Sequence, residues 1–222
     1  MKLAHHRPFQ AIGFHSCDRE VGLRLLNGTD QLKHSTNSWD WLGWGAYFWE
    51  QNPQKALEYA IKCAVGKQTY SGDIRTPFII GAIIELNNCL NLVEPSSIKI
   101  VKEAYKELKE TMRKSGEGMP KNKGANRALD CAVIQSIHES NKREFELNPN
   151  GEIKPYDTVR SPFHEGGAIY EGSAFTEGLH IEISVINVNL IRGFFLPRPI
   201  EIYNPYLNKE FNKDQFLNDI DK

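Results

Sequence analysis

Three residues stand where their chemical type and local pattern suit them to chemistry. His15 follows the apolar run Ala11-Ile12-Gly13-Phe14, which reads as a short strand ending at the histidine. Tyr47 lies just behind a bend marked by Gly43 and Gly45, at the start of the aromatic run Tyr47-Phe48-Trp49. Glu182 belongs to His180–Val188, where Ile181, Ile183 and Val185 share one face and His180, Glu182 and Ser184 the other. Each has a plain structural counter-reading: a core histidine, a core aromatic, and a solvated sheet face. His164, Glu165, Glu171, Glu177 and His180 add polar side chains near Glu182 in sequence. Three tryptophans crowd the bend (Trp39, Trp41, Trp44), so the block 39–60 reads either as core or as a wall on which a flat ligand stacks. No phosphate-cradling glycine loop, H-E-x-x-H or G-x-S-x-G occurs. The cysteines at 17, 63, 89 and 131 form no C-x-x-C pair, so neither zinc nor a disulfide framework is expected.

These residues need elements to hold them. Asp18 is placed to cap a helix over Arg19–Leu26, which Asn27-Gly28 stops. Gln54–Ala64 reads as a helix with Ala56, Tyr59, Ala60 and Cys63 on one face. Gly66–Thr76 is turn-rich, Phe78–Leu86 reads as a buried strand, and Cys89–Val93 extends a sheet edge. Ser96 or Ser97 is placed to cap a helix running to about Lys114, and Ala128–Ser140 forms another. Phe145–Pro155 is a connection turning at Asn148–Gly151. Short apolar pieces among glycines fill 162–175, and the chain beyond Pro197 turns polar and wraps the surface. Strands and helices do not alternate as βαβ units, so the expected fold is α+β, built on antiparallel sheets.

At 222 residues the chain is expected to be a single domain, 1–222, with 199–222 a polar C-terminal segment. Hydrophobic residues make up 40% and charged residues 25%, which argues against disorder. A formal charge of −1 supplies no global attraction to nucleic acid or anionic lipid. The loop Ser115–Arg127, with Lys114, Lys121, Lys123 and Arg127 against Glu117, is locally basic, and such loops are commonly just solvated. The first ten residues lack a signal-peptide core and no segment approaches about 18 continuous apolar residues, so the expectation is a cytoplasmic protein with no membrane association.

Read together, the pieces resemble a family. Leu42-Gly43-Trp44-Gly45-Ala46-Tyr47-Phe48-Trp49-Glu50, followed by Lys55-Ala56 and Tyr59, is similar to the G-x-G-x-Y-F…A-x-Y block of the poly(ADP-ribose) polymerase and diphtheria-toxin-like ADP-ribosyltransferases. Phe14-His15-Ser16 is similar to the strand-ending H-G-[ST] before that block, with Ser16 where glycine is usual. Pro77–Asn87 resembles the following apolar strand, and Glu182 falls where a late strand delivers the catalytic glutamate, completing the order His, Tyr, Glu. The chain also resembles a bacterial branch with G-[FY]-H-x-C near the start and W-L-G-x-G-x-Y-F-W-E after it. The resemblance implies a split antiparallel β-sandwich with flanking helices around an NAD-binding cleft. It implies NAD as a substrate, cleaved between nicotinamide and ribose, with ADP-ribose passed to a protein, RNA or DNA acceptor, and no metal. By the same resemblance Glu182 is the catalytic carboxylate, with Glu177 and Glu165 as competitors. His15 binds a ribose hydroxyl, the backbone of Ser16 holds the carboxamide, and Tyr47 and Tyr59 sandwich the nicotinamide, with Gly45 in the bend beside them. A toxin or phage-defence role with a neutralising antitoxin follows only by analogy. Three alternatives stay open: an NAD glycohydrolase, an inactive NAD- or ADP-ribose-binding module, and an interaction protein with an aromatic-rich core.

Overall fold

The computed structural model describes residues 10–67 and 73–220. The leader expectation for the first residues, and the middle of the turn-rich segment 66–76, lie outside them. In chain order the elements are β1 (Gln10–Asp18), α1 (Arg19–Leu26), β2 (Ala46–Glu50), α2 (Pro53–Ala64), β3 (Pro77–Glu85), β4 (Cys89–Asn91) and α3 (Pro95–Ser115). There follow β5 (Asn122–Lys123), β6 (Asn126–Arg127), α4 (Ala128–Leu147), β7 (Thr158–Phe163), β8 (His180–Val185), β9 (Ile191–Phe195), α5 (Ile200–Tyr203) and α6 (Lys213–Ile220). The fold is α+β. Among the described residues the chain gathers into two compact units, 10–32 with 48–67, 73–85 and 191–220, and 33–47 with 86–190.

In the first unit β3 pairs antiparallel with β1 along its whole length, Gln10–Glu85 to Asp18–Pro77, and with β9 through Gly81–Phe195 to Ile84–Ile191. A strand paired on both edges and covered on both faces should be apolar throughout. Phe78, Ile79, Ile80, Ala82 and Ile84 are indeed fully buried. The pairing of β1 with β2 covers only Gly13–Glu50 and Phe14–Trp49, so β1 continues past that contact against β3. The strand thus runs three residues beyond His15 and ends at Asp18, whose carboxylate caps α1 by accepting from Glu20 N–H at 3.0 Å. The same carboxylate accepts from Arg75 and Thr76 N–H, tying the entry of β3 to the helix start. Beyond Pro197 the chain is not simply a polar wrap. Asn204 is 1% exposed and pairs with the Ile79 backbone in both directions, accepting at 2.9 Å and donating at 3.0 Å.

In the second unit β7 lies between β4, which runs parallel to it, and β8, which runs antiparallel. The parallel pair departs from the expected antiparallel pattern. It is possible because α3, the small β5–β6 hairpin and α4 form a long crossover between β4 and β7. Leu42, Leu90, Ile134, Ile137 and Val159 make the core, each side chain contributing about 1.5–3 kcal/mol by burial. α3 starts at Pro95 with Glu94 at the cap position and no side-chain capping bond, so Ser96 and Ser97 lie inside its first turn instead of capping it. α4 runs seven residues past the expected Ser140, to Leu147. No helix among the described residues is long and apolar enough to cross a membrane.

Candidate active site around Glu182

The aromatic block begins as a closed loop within the second unit. Ser35 and Gly45 exchange backbone hydrogen bonds at 2.9 and 3.1 Å, and Gly43 N–H donates to Asp40 C=O at 2.8 Å. Gly43 takes a left-handed φ of +77° at the bend, where a β-carbon would also lie 2.8 Å from Gln135 Oε1 and 2.9 Å from Ile134 Cγ2. Gln135 uses that oxygen to accept from Trp44 N–H. Gly45 lies directly against β8: a β-carbon there would sit 2.3 Å from Ser184 Oγ and 2.9 Å from Val185 C=O. Tyr47 closes the bend from inside. Its hydroxyl donates to Gly43 C=O at 2.7 Å and accepts from Leu42 N–H at 3.0 Å, while its ring packs on the Leu42 core. Burial raises the Tyr47 phenol well above its ordinary range, with the charges of Asp40 and Glu182 adding to the effect.

The loop and β8 together set Glu182. The polar face of β8 is not a solvated sheet face: His180 is 7% exposed and Ser184 fully buried. A buried polar face is the informative case, because such groups cost free energy unless they are paired. Glu182 has both carboxylate oxygens engaged. Oε2 accepts from Trp41 Nε1–H at 2.6 Å, and Oε1 lies 3.0 Å from His180 Nε2. Phe163, the register partner of His180 on β7, fills the space between these side chains. Its ring centroid is 4.8 Å from Trp41 and 5.5 Å from His180. Asp40 adds a second acid; burial raises its carboxyl first, and the charge of Glu182 raises it further. The result is a carboxylate fixed in direction among flat aromatic faces. Such a group stabilises positive charge developing on a bound molecule, because its dipoles are oriented before the charge appears.

Within this unit the structure brings together three of the expected residues, Gly45, Tyr47 and Glu182. Gly45 serves close strand packing, and Tyr47 serves the bend. The rival acids belong to the hairpin-like stretch before β8. There Gly178 N–H donates to Glu165 C=O and Glu177 N–H to Gly167 C=O, and Glu177 is exposed. The remaining expected residues belong to the first unit. His15 pairs in register with Ile80, and its ring lies 5.5 Å from Phe48. Ser16 pairs in register with Ile79, beyond the β1–β2 contact, and its hydroxyl donates to Ala56 C=O on α2 at 2.5 Å. Tyr59, also on α2, packs its ring 4.9 Å from Trp49.

The sequence does not announce Trp41 as a partner of this carboxylate, nor Phe163 as the ring against Trp41 and His180. The alternation of β8 already placed His180 and Glu182 on one face, which was the legible half of the signal. The basic loop is partly self-neutralised, since Arg127 pairs with Asp130 at 2.7 Å and Lys114 with Glu110 at 3.6 Å. Compared with protein-family models, curated proteins and solved structures, the chain finds no match in any of the three.

Proposed function

We propose that this protein is an NAD⁺-dependent mono-ADP-ribosyltransferase with Glu182 as its catalytic carboxylate. The observation that carries the reading is the double anchoring of Glu182, by Trp41 at 2.6 Å and His180 at 3.0 Å, on a strand face that is buried rather than solvated. In the reaction the bond between nicotinamide N1 and ribose C1′ breaks, and its electron pair leaves with nicotinamide. A lone pair of the acceptor forms the new bond to C1′, and the acceptor's proton is released. Positive charge gathers on the ribose as the first bond lengthens. A carboxylate held in place beside it stabilises the transition state more than the ground state. The aromatic setting suits the flat cationic nicotinamide ring through stacking and cation–π attraction.

The other assignments rest on the sequence resemblance: His15 on a ribose hydroxyl, the Ser16 backbone on the carboxamide, Tyr47 and Tyr59 on nicotinamide, Gly45 in the bend. The acceptor is read as a protein more readily than as a nucleic acid, because two of the four basic residues around the loop 115–127 are already paired with acids. A fold of the split-sandwich type, cytoplasmic residence, and a toxin or defence role with a neutralising partner belong to the same reading. Release of nicotinamide from NAD⁺ by the purified protein, with protein and nucleic-acid acceptors supplied separately, tests it. Binding of NAD⁺ without any release would defeat it.

A further inference from the structure

The contacts of His180 restrict where its protons sit. Nδ1 lies 2.6 Å from Gly178 C=O, and a carbonyl oxygen only accepts, so Nδ1 must carry a hydrogen. Nε2 lies 3.0 Å from Glu182 Oε1, again an acceptor when ionised. A neutral imidazole has one donor and one acceptor nitrogen, which would leave Nε2 and Oε1 facing each other as two lone pairs. With the His180 side chain 2% exposed and that of Glu182 14% exposed, little solvent is available to relieve such a clash. The pair is complete only with a further proton between Nε2 and Oε1.

Two observations place that proton on the ring. Trp41 Nε1 donates to the other oxygen, Oε2, at 2.6 Å, which favours the ionised carboxylate. The titratable groups that feel the charge of Glu182 are Asp40 and Tyr47, from the loop before β2 and the start of that strand. Neither is a cation, so an imidazolium at Nε2 is what meets the Glu182 charge at Oε1. From this geometry we infer that His180 is a doubly protonated positioning residue, which together with the Trp41 indole locks both oxygens of Glu182 in one orientation. The inference rests on the reading of Glu182 as the catalytic carboxylate, and it adds a dependence on one proton that the carboxylate alone would not have. Without that proton Nε2 and Oε1 would meet as two lone pairs.

The test has two arms that fail separately. In the first, the full chain is labelled with ¹⁵N-histidine and the His180 signal is assigned by its loss in His180→Gln. The expected spectrum shows a bonded hydrogen on both ring nitrogens at the pH of the assay. A bare Nε2 in the folded wild type overturns the inference, whether or not the protein turns over NAD⁺. In the second arm, nicotinamide release is measured for wild type and variants, with kcat and KM separated. His180→Ala is expected to lose tenfold or more, and Trp41→Phe severalfold, in kcat with KM little changed. His180→Gln supplies an N–H near the place of Nε2, so it should recover most of the loss. His180→Gln as inactive as His180→Ala, or His180→Ala as active as wild type, overturns the positioning role. Wild-type inactivity defeats the functional reading instead, and the spectrum then decides the inference alone.

Discussion

Lowering the pH should unlock the second unit through one histidine. His138 on α4 is largely buried, its ring meets Tyr156 edge-on at 6.3 Å, and its Nε2 has no hydrogen-bond partner. It lies under the glycine bend, with Cδ2 3.6 Å from where a Gly43 side chain would begin. Burial pushes the ring from an ordinary 6.5 down to about 4. The neutral form is thus preferred in the folded chain by at most about 3 kcal/mol. The sign follows from proton counting. Between about 4 and 6.5 the unfolded chain binds the extra proton, so stability rises with pH across that window. The contribution is complete above 6.5, falls by roughly 2 kcal/mol on going down to pH 5, and is gone below about 4. Urea unfolding read by tryptophan fluorescence at pH 7.5 and 5 measures this, with His138→Leu as the reference. With a urea slope of about 2–3 kcal/mol/M, the wild-type midpoint should drop by roughly 1 M more than that of the variant. An equal drop in both proteins would refute the argument that His138 is held neutral by burial.

Two further substitutions test the packing that presents the site. Gly45→Ala forces a β-carbon against Ser184 Oγ and the Val185 carbonyl, and the carbonyl has no rotamer by which to move. A loss of about 3 kcal/mol is expected in thermal unfolding, and a neutral effect would mean that β8 does not pass over this glycine. Asn204→Ala removes both hydrogen bonds to Ile79 and leaves two buried backbone groups unpaired. That should cost about 2–5 kcal/mol by the same measurement, and a cost below about 1 kcal/mol would show that water takes over the role.

What was legible from sequence follows from how local each signal is. The Asp18 cap, the Asn27-Gly28 stop and the all-apolar β3 are written in adjacent residues, and they stand as read. Gly43 and Gly45 mark a bend in the sequence; Gly43 makes it with its left-handed φ, while the close approach of β8 at Gly45 shows only in the fold. β7 was not read as a strand because Arg160 and Pro162 interrupt its pattern. Pro162 is tolerated there because β4 pairs only as far as Arg160, leaving no ladder hydrogen bond on that edge for proline to break. α4 outran its expected end because its apolar stripe stops at Ile137 while the residues after it still favour helix. The Trp41–Glu182 contact joins positions 141 residues apart, so no local pattern announces it. The polar face of β8 looked like a solvated surface because alternation reports which side chains share a face and not what covers that face.

The central claim is that Glu182 is a working carboxylate rather than a buried structural acid. The most direct measurement is nicotinamide release from NAD⁺ by wild type and Glu182→Gln, with NAD⁺ affinity and thermal stability recorded for both. Gln keeps the size and one acceptor oxygen for Trp41 while removing the charge. The account predicts release by wild type, a loss of a hundredfold or more in the variant, and little change in affinity for NAD⁺. Release undiminished in Glu182→Gln, or none by the wild type under any acceptor condition, would contradict it.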